Sequence, residues 1–206
     1  MKSRVVYPGF ILSMVLGAVV GFAAAATQAQ AAVAYEVDKV HSTVGFTISH
    51  LMVSKVTGTF NDYEGKVQFN PNDLATAKFD FTIQVQSIDT RNGDRDKHLK
   101  SAEFFDAITY PQIVFKTKKV QLKSGNEYLV TGDLTMKDVT KEVELPVTVS
   151  GPVPNPMGGG AVLGIESHFT LNRQDYGVSW NKVIDNGGLM IGNDVQASVL
   201  IEAHAK

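Results

Sequence analysis

The sequence predicts an all-β protein: an eight-stranded antiparallel barrel with a short helical insert between two long central strands. Three observations lead there. Apolar and polar residues alternate with period two in segment after segment. One stretch exchanges that period for a helical one, and no internal repeat divides the chain. The alternation is clearest at Phe79, Phe81, Ile83 and Val85 against Asp80, Thr82, Gln84 and Gln86, which is the pattern of a half-buried strand. Burying each such apolar side chain contributes about 1.5–3 kcal/mol, so the face must find a cover. A length of 206 residues suits one all-β domain, and 18 glycines suit a fold with many turns.

The first thirty-one residues differ in kind. Lys2 and Arg4 precede an uncharged, mostly apolar run from Val5 to Ala26, and Ala29-Gln30-Ala31 follows as an A-x-A cleavage pattern. The run is long enough to span a bilayer. Its alanine-rich end, and the lack of basic residues just after it, instead favour a removed export signal (1–31) ahead of a barrel domain (32–206). Loss of Lys2 and Arg4 leaves 17 basic against 21 acidic residues, a net charge of −4. Such a chain gives no reason to expect nucleic-acid binding. The absence of cysteine excludes disulfides, a thiol nucleophile and a lipidated cysteine tether. The compartment expected is the bacterial periplasm.

Strand signals then repeat. Ser42 to Leu51 alternates through Val44, Phe46 and Ile48. Val56, Gly58 and Phe60 share even positions whereas Val67 and Phe69 share odd ones. Lys55–Asn70 therefore reads as one bent strand with its irregularity at Gly65, a tight hairpin being the alternative. Asn70-Pro71-Asn72-Asp73 is a turn. After the Lys78 strand, Asn92-Gly93 marks a turn and Asp94 to Phe105 reads as a short helix, with Leu99, Ala102 and Phe105 near one side. Tyr110-Pro111 closes it, since the residue before proline avoids the helical region. Gln112–Lys123, Glu127–Lys137 and Lys141–Ser150 follow, and Pro146 suggests a bulge or an edge nearby. Val162–Leu171 and Val195–His204 complete eight strands, for which a barrel removes the exposed edges and a two-sheet sandwich is the runner-up. Asn172–Asn193 is a long loop of high apolar content, with Trp180, Val178, Val183, Ile184, Leu189, Met190 and Ile191. Loops of that length are functional or disordered, and this one is expected to fold against a barrel mouth.

Chemistry-bearing motifs are sparse. His41, His50, His98, His168 and His204 form no recognised metal-ligand spacing. Asp94 and His98 would share a helix face, but an acid at a helix start and a surface histidine explain them. No serine-nucleophile motif is present, and Gly158-Gly159-Gly160 opens a strand rather than a phosphate-cradling helix. Arg173 and Asp175 flank the long loop, where they could orient a polar head or form a surface ion pair. No cofactor, metal or catalytic residue is expected. The apolar faces remain, and periodicity leaves a packed core slightly ahead of a ligand cavity.

A resemblance shifts that balance. Tyr35-Glu36-Val37-Asp38 with His41-Ser42-x-Val44-x-Phe46, then Gly58-Thr59-Phe60 and Ser87-Ile88-Asp89-Thr90, resembles the YceI family. Asp96-Lys97-His98-Leu99-Lys100-Ser101, Tyr110-Pro111-x-Ile113-x-Phe115, Gly132-x-Leu134-Thr135 and Arg173-x-Asp175-Tyr176-Gly177 extend the likeness over the whole mature chain. Tyr176 and Met136-Lys137-Asp138 depart slightly from the usual pattern. The resemblance implies a lipocalin-like barrel with an elongated apolar pore, binding a polyisoprenoid, quinone-like or other long-chain amphiphilic lipid. The pore would be lined by Phe46, Ile48, Phe60, Phe69, Phe79, Phe81, Ile83, Phe105, Ile113, Phe115, Leu134, Leu145, Phe169, Trp180 and Val199. It would run the roughly 30 Å height of the barrel. A carrier or sequestering protein is preferred over an enzyme using His98 or Arg173 at the mouth, or a stress or partner-docking barrel with a solid core. Transient contact with a membrane or membrane protein, and a homodimer, are the further partners this reading admits.

Overall fold

Alternating apolar residues give a computed structural model made almost wholly of strands, describing residues 1, 32–183 and 187–206. The expected signal and cleavage site, and Ile184, lie outside the described residues. The strands are β1 (Val33–His50), β2 (Ser54–Phe60), β3 (Tyr63–Phe69), β4 (Lys78–Gln84), β5 (Ile88–Asp89), β6 (Gln112–Ser124), β7 (Glu127–Met136), β8 (Val139–Pro154), β9 (Ala161–Asn172) and β10 (Ile191–Ala205). They form one antiparallel sheet closed by pairing β10 with β1.

β2 pairs with the second half of β1, from Val44 to His50, and β3 with its first residues, from Val33 to Tyr35. They are two halves of one bent strand. Counted once, with β5 as a two-residue extension beside β2, the wall has eight strands. The irregularity falls at Asn61-Asp62, not at Gly65. Two linking residues switch the inward parity from Phe60 to Tyr63, while Gly65 stays in the ladder opposite Phe81.

The central strands are unequal, with β4 only 7 residues long against 13 in β6. Their ladder covers Phe81–Gln84 and Gln112–Phe115. Beyond it side chains take over: Thr117 Oγ1 accepts from the Phe79 amide at 2.9 Å, and Asp80 Oδ1 accepts from the Thr117 amide at 2.8 Å. Between them α1 spans Gly93–Lys100, and Asn92 caps it by accepting from the Arg95 amide at 3.0 Å. The helix is shorter than its sequence pattern predicts. Ser101 Oγ takes the His98 carbonyl at 2.7 Å, and the chain runs on in turns, leaving Ala102 exposed.

The wall is not uniformly laddered. β8 pairs with β9 only from Thr148↔Glu166 to Pro154↔Ala161, although β8 pairs with β7 back to Val139. Pro146 stands beside this break. Its carbonyl accepts from Ser167 Oγ of β9 at 2.7 Å, and the N–H and C=O of a strand residue face the same neighbour. The donor that proline lacks therefore faces β9, where the ladder stops.

Interior side chains divide the barrel into two halves. At the end where β3 finishes, Phe69 packs edge-on to Tyr128 at 5.5 Å and against Phe79 at 5.9 Å, with Val130 and Leu163 fully buried. That end is solid. Among the described residues no helix is long and apolar enough to cross a membrane.

Candidate functional site

The other half is hollow. A cavity of about 310 Å³ lies where β1 ends and β10 begins. It is lined by Phe46, Ile48, Phe60, Ile83, Phe105, Ile113, Leu134, Phe169, Trp180 and Val199 from the expected set. Phe69, Phe79, Phe81, Phe115 and Leu145 do not line it. Phe69 and Phe79 fill the solid end, Phe81 and Phe115 lie over Gly65 and Gly132, and Leu145 packs against the core. The expected full-length pore is thus a half-barrel pocket, because large aromatic side chains meet across the other end.

Inward parity supplies the walls. Phe46 reaches across to β2 because Gly58 stands there: a Cβ at Gly58 would sit 2.5 Å from Phe46 Cζ. Val195, Ala197 and Val199 of β10 alternate into the cavity. Period-two alternation puts these on one face, although only Val199 belongs to the expected set. Val44, Val56, Met136 and Leu171, which strand parity can supply, and Met190 and Ile191 from the long loop also line the cavity without having been expected there.

Two segments cover the mouth together. The residues after α1 present Phe104, whose ring lies 5.0 Å from Trp180, and His98 stands edge-on to both rings at 4.8 and 5.1 Å. His98 Nε2 is 2.6 Å from Glu103 Oε2, so its polar partner is Glu103, not Asp94.

Arg173 holds the loop in place. Its guanidinium is buried and donates to the main-chain carbonyls of Gly192 at 2.9 Å, Val178 at 2.5 Å and Trp180 at 2.8 Å, with Asn193 Oδ1 at 3.5 Å. Burial lowers its pKa from the usual arginine value. Asp175 pairs instead with Lys141 at 3.3 Å. Arg173 lines the cavity with its donors turned onto the loop, and Asp175 pairs with Lys141, so the two do not pair with each other.

Polar groups at the cavity are few. Arg95 donates to Thr90 Oγ1 and the Thr90 carbonyl, each at 2.8 Å, while Asp96 accepts from the Thr90 amide at 2.9 Å. Thr90, Arg95, His50, His98 and Arg173 are the polar side chains that line an otherwise apolar pocket. Such an arrangement orients an amphiphile's head and buries its tail.

The YceI-like domain model matches residues 35–203. A UPF0312 protein of Staphylococcus aureus is 43% identical over 159 residues, covering 77% of this chain and 90% of that protein. A Campylobacter jejuni YceI protein of known structure is 31% identical with a TM-score of 0.65, over 82% of this chain and 96% of that one. Burkholderia cenocepacia BcnA superposes with a TM-score of 0.71 at 26% identity, over 81% and 99% of the chains. A polyisoprenoid-binding domain from Saccharophagus degradans shares the fold with a TM-score of 0.64 at 16% identity, over 84% of this chain and 99% of that one. With its closed barrel, helical flap and family match over nearly all the described residues, the chain belongs to the YceI family.

Proposed function

We propose that the protein binds the tail of an isoprenoid-type or similar long-chain lipid, and carries or sequesters it in the periplasm after removal of residues 1–31. The observation that carries this reading is the half-barrel cavity, lined mainly by apolar side chains, with the Trp180 and Phe104 rings packed together in its wall. The name of the polyisoprenoid-binding structural neighbour is consistent with the same class of ligand. Binding would come from apolar burial, about 0.8 kcal/mol per methylene, with soft chain-length specificity. A cavity of about 310 Å³ is at the lower end of known ligand sites. It suits a terminal segment of the tail, with the rest leaving through the mouth.

The rim favours loading from a bilayer. Met52 and Val53 are 67% and 86% exposed at the β1–β2 turn, and Val183 is 67% exposed in the loop beside it. Leu51 and Met190 join these two segments by a 2.8 Å main-chain bond. Catalysis at the mouth is the weaker reading, since Arg173 is committed to holding the loop and His98 to Glu103. Organic extraction of protein purified from its own host, followed by mass spectrometry, tests the proposal. One long-chain lipid per chain is expected, and refilled protein should melt above stripped protein. An empty protein whose melting ignores added polyprenyl lipids would contradict it.

A further inference from the structure

Outside the apolar cavity, β1 and β10 bring two histidines and two carboxylates together, and Asp38 and His204 line a separate open, polar pocket with Lys39 and Lys206. Asp38 is the cross-strand partner of Glu202, and the next ladder pair is Thr43↔Leu200. Lys39, Val40, His41 and Ser42 thus stand against Ile201 alone, a wide bulge in β1. Ser42 secures it, its hydroxyl accepting from the Glu202 amide at 3.0 Å and donating to the Glu202 carbonyl at 3.3 Å. The bulge returns His41 over Asp38. On β10, Ile201 and Ala203 are buried, so Glu202 and His204 both face outward.

The four donor atoms form a closed ring. His41 Nδ1 is 2.8 Å from Asp38 Oδ2 and 3.8 Å from Glu202 Oε1. His204 Nε2 is 2.9 Å from Glu202 Oε1 and 3.8 Å from Asp38 Oδ2. In a tetrahedral site with metal–ligand bonds of about 2.0–2.1 Å, neighbouring ligand atoms stand roughly 3.3–3.4 Å apart. Asp38, Glu202 and His204 already bring one donor atom each within 4.8 Å of the other two, and His41, on the exposed bulge, must swing toward His204 to complete a tetrahedral set. Like charges directly opposite on paired strands are also unfavourable unless a cation lies between them, and Asp38 faces Glu202 in this way.

We infer that Asp38, His41, Glu202 and His204 form a surface site for a divalent first-row transition metal, with zinc as the natural probe. Two imidazoles and two carboxylates suit zinc, nickel and copper better than calcium or magnesium, which prefer all-oxygen shells. The site ties the bulge of β1 to the last strand, across the seam that closes the barrel. Because the ligands come from opposite ends of the chain, no local spacing announces them.

Equilibrium dialysis of the untagged chain against zinc chloride alone tests this, with cobalt(II) absorption reporting coordination geometry. One equivalent of zinc and intense tetrahedral cobalt bands are expected. His41→Gln and His204→Gln should each weaken binding by about tenfold or more through loss of one ligand, while His168→Gln leaves it unchanged. His41 is exposed, so its replacement tests the site without threatening the fold. Absence of stoichiometric zinc, or equal binding by the His41→Gln and His204→Gln variants, would overturn the assignment. The readout needs no lipid, so its outcome is separate from that of the cavity.

Discussion

Gly58, Gly65 and Gly132 face the barrel interior, and each lies under a phenylalanine ring, from Phe46, Phe81 and Phe115 in turn. A strand glycine weakens its own ladder but admits a close neighbour, and the ring covers the bare backbone. At Gly132 a Cβ would sit 2.6 Å from Phe115 Cζ and clash with the Lys116 carbonyl. Gly132→Ala should therefore destabilise the fold by about 1–3 kcal/mol, the usual cost of overpacking. A denaturant midpoint equal to that of the parent would contradict it. Tyrosines make a second test. Tyr35, Tyr63 and Tyr176 are buried, and burial raises each phenol above its usual value near 10. A pKa raised on folding gives stability that is complete below the unfolded value and lost as pH rises through the folded one. Stability should fall above about pH 10 in step with phenol ionisation, and Tyr35→Phe should reduce that slope. A stability independent of pH in that range would contradict the burial. Arg173 shows what residue type conceals: the sequence marks a charged residue near a mouth, but only the folded loop shows its donors turned onto carbonyls.

At the scale of elements, strand parity was legible and strand limits were not. Lys55–Asn70 reads as one bent strand because its even and odd apolar positions demand a slip, and β2 and β3 are its two halves along β1. The slip lies at Asn61-Asp62 and not at Gly65, although glycine is the usual marker of a bulge. Ala102 and Phe105 continue the helical spacing beyond Lys100, but the Ser101 hydroxyl ends the helix there. Pro146 was the informative residue. It signals an edge, and the ladder to β9 ends beside it. Amides of Glu142 and Glu144, which share the β9-facing side with Pro146, should exchange with solvent faster than those of Val143 and Leu145, which face β7. Hydrogen exchange resolved by residue would show this alternation, and uniform protection along β8 would place a ladder where the structure has none.

For the whole molecule, the barrel and its mouth-covering loop follow from periodicity and composition, but the extent of the hollow does not. Phe69 and Phe81 alternate inward just as Phe46 and Phe60 do. Which inward residues meet a neighbour and which face a void depends on barrel taper and on the side chains opposite, and neither is local. In the proposed binding mode the hollow half takes a lipid tail under Trp180, the only tryptophan in the chain. Its fluorescence therefore reports the site without a label. Stripped protein titrated with a long-chain polyprenol should show a saturable change in Trp180 emission at one molecule per chain, shifted to shorter wavelength as the indole loses water. Emission that does not respond, or that changes without saturating, would contradict the account.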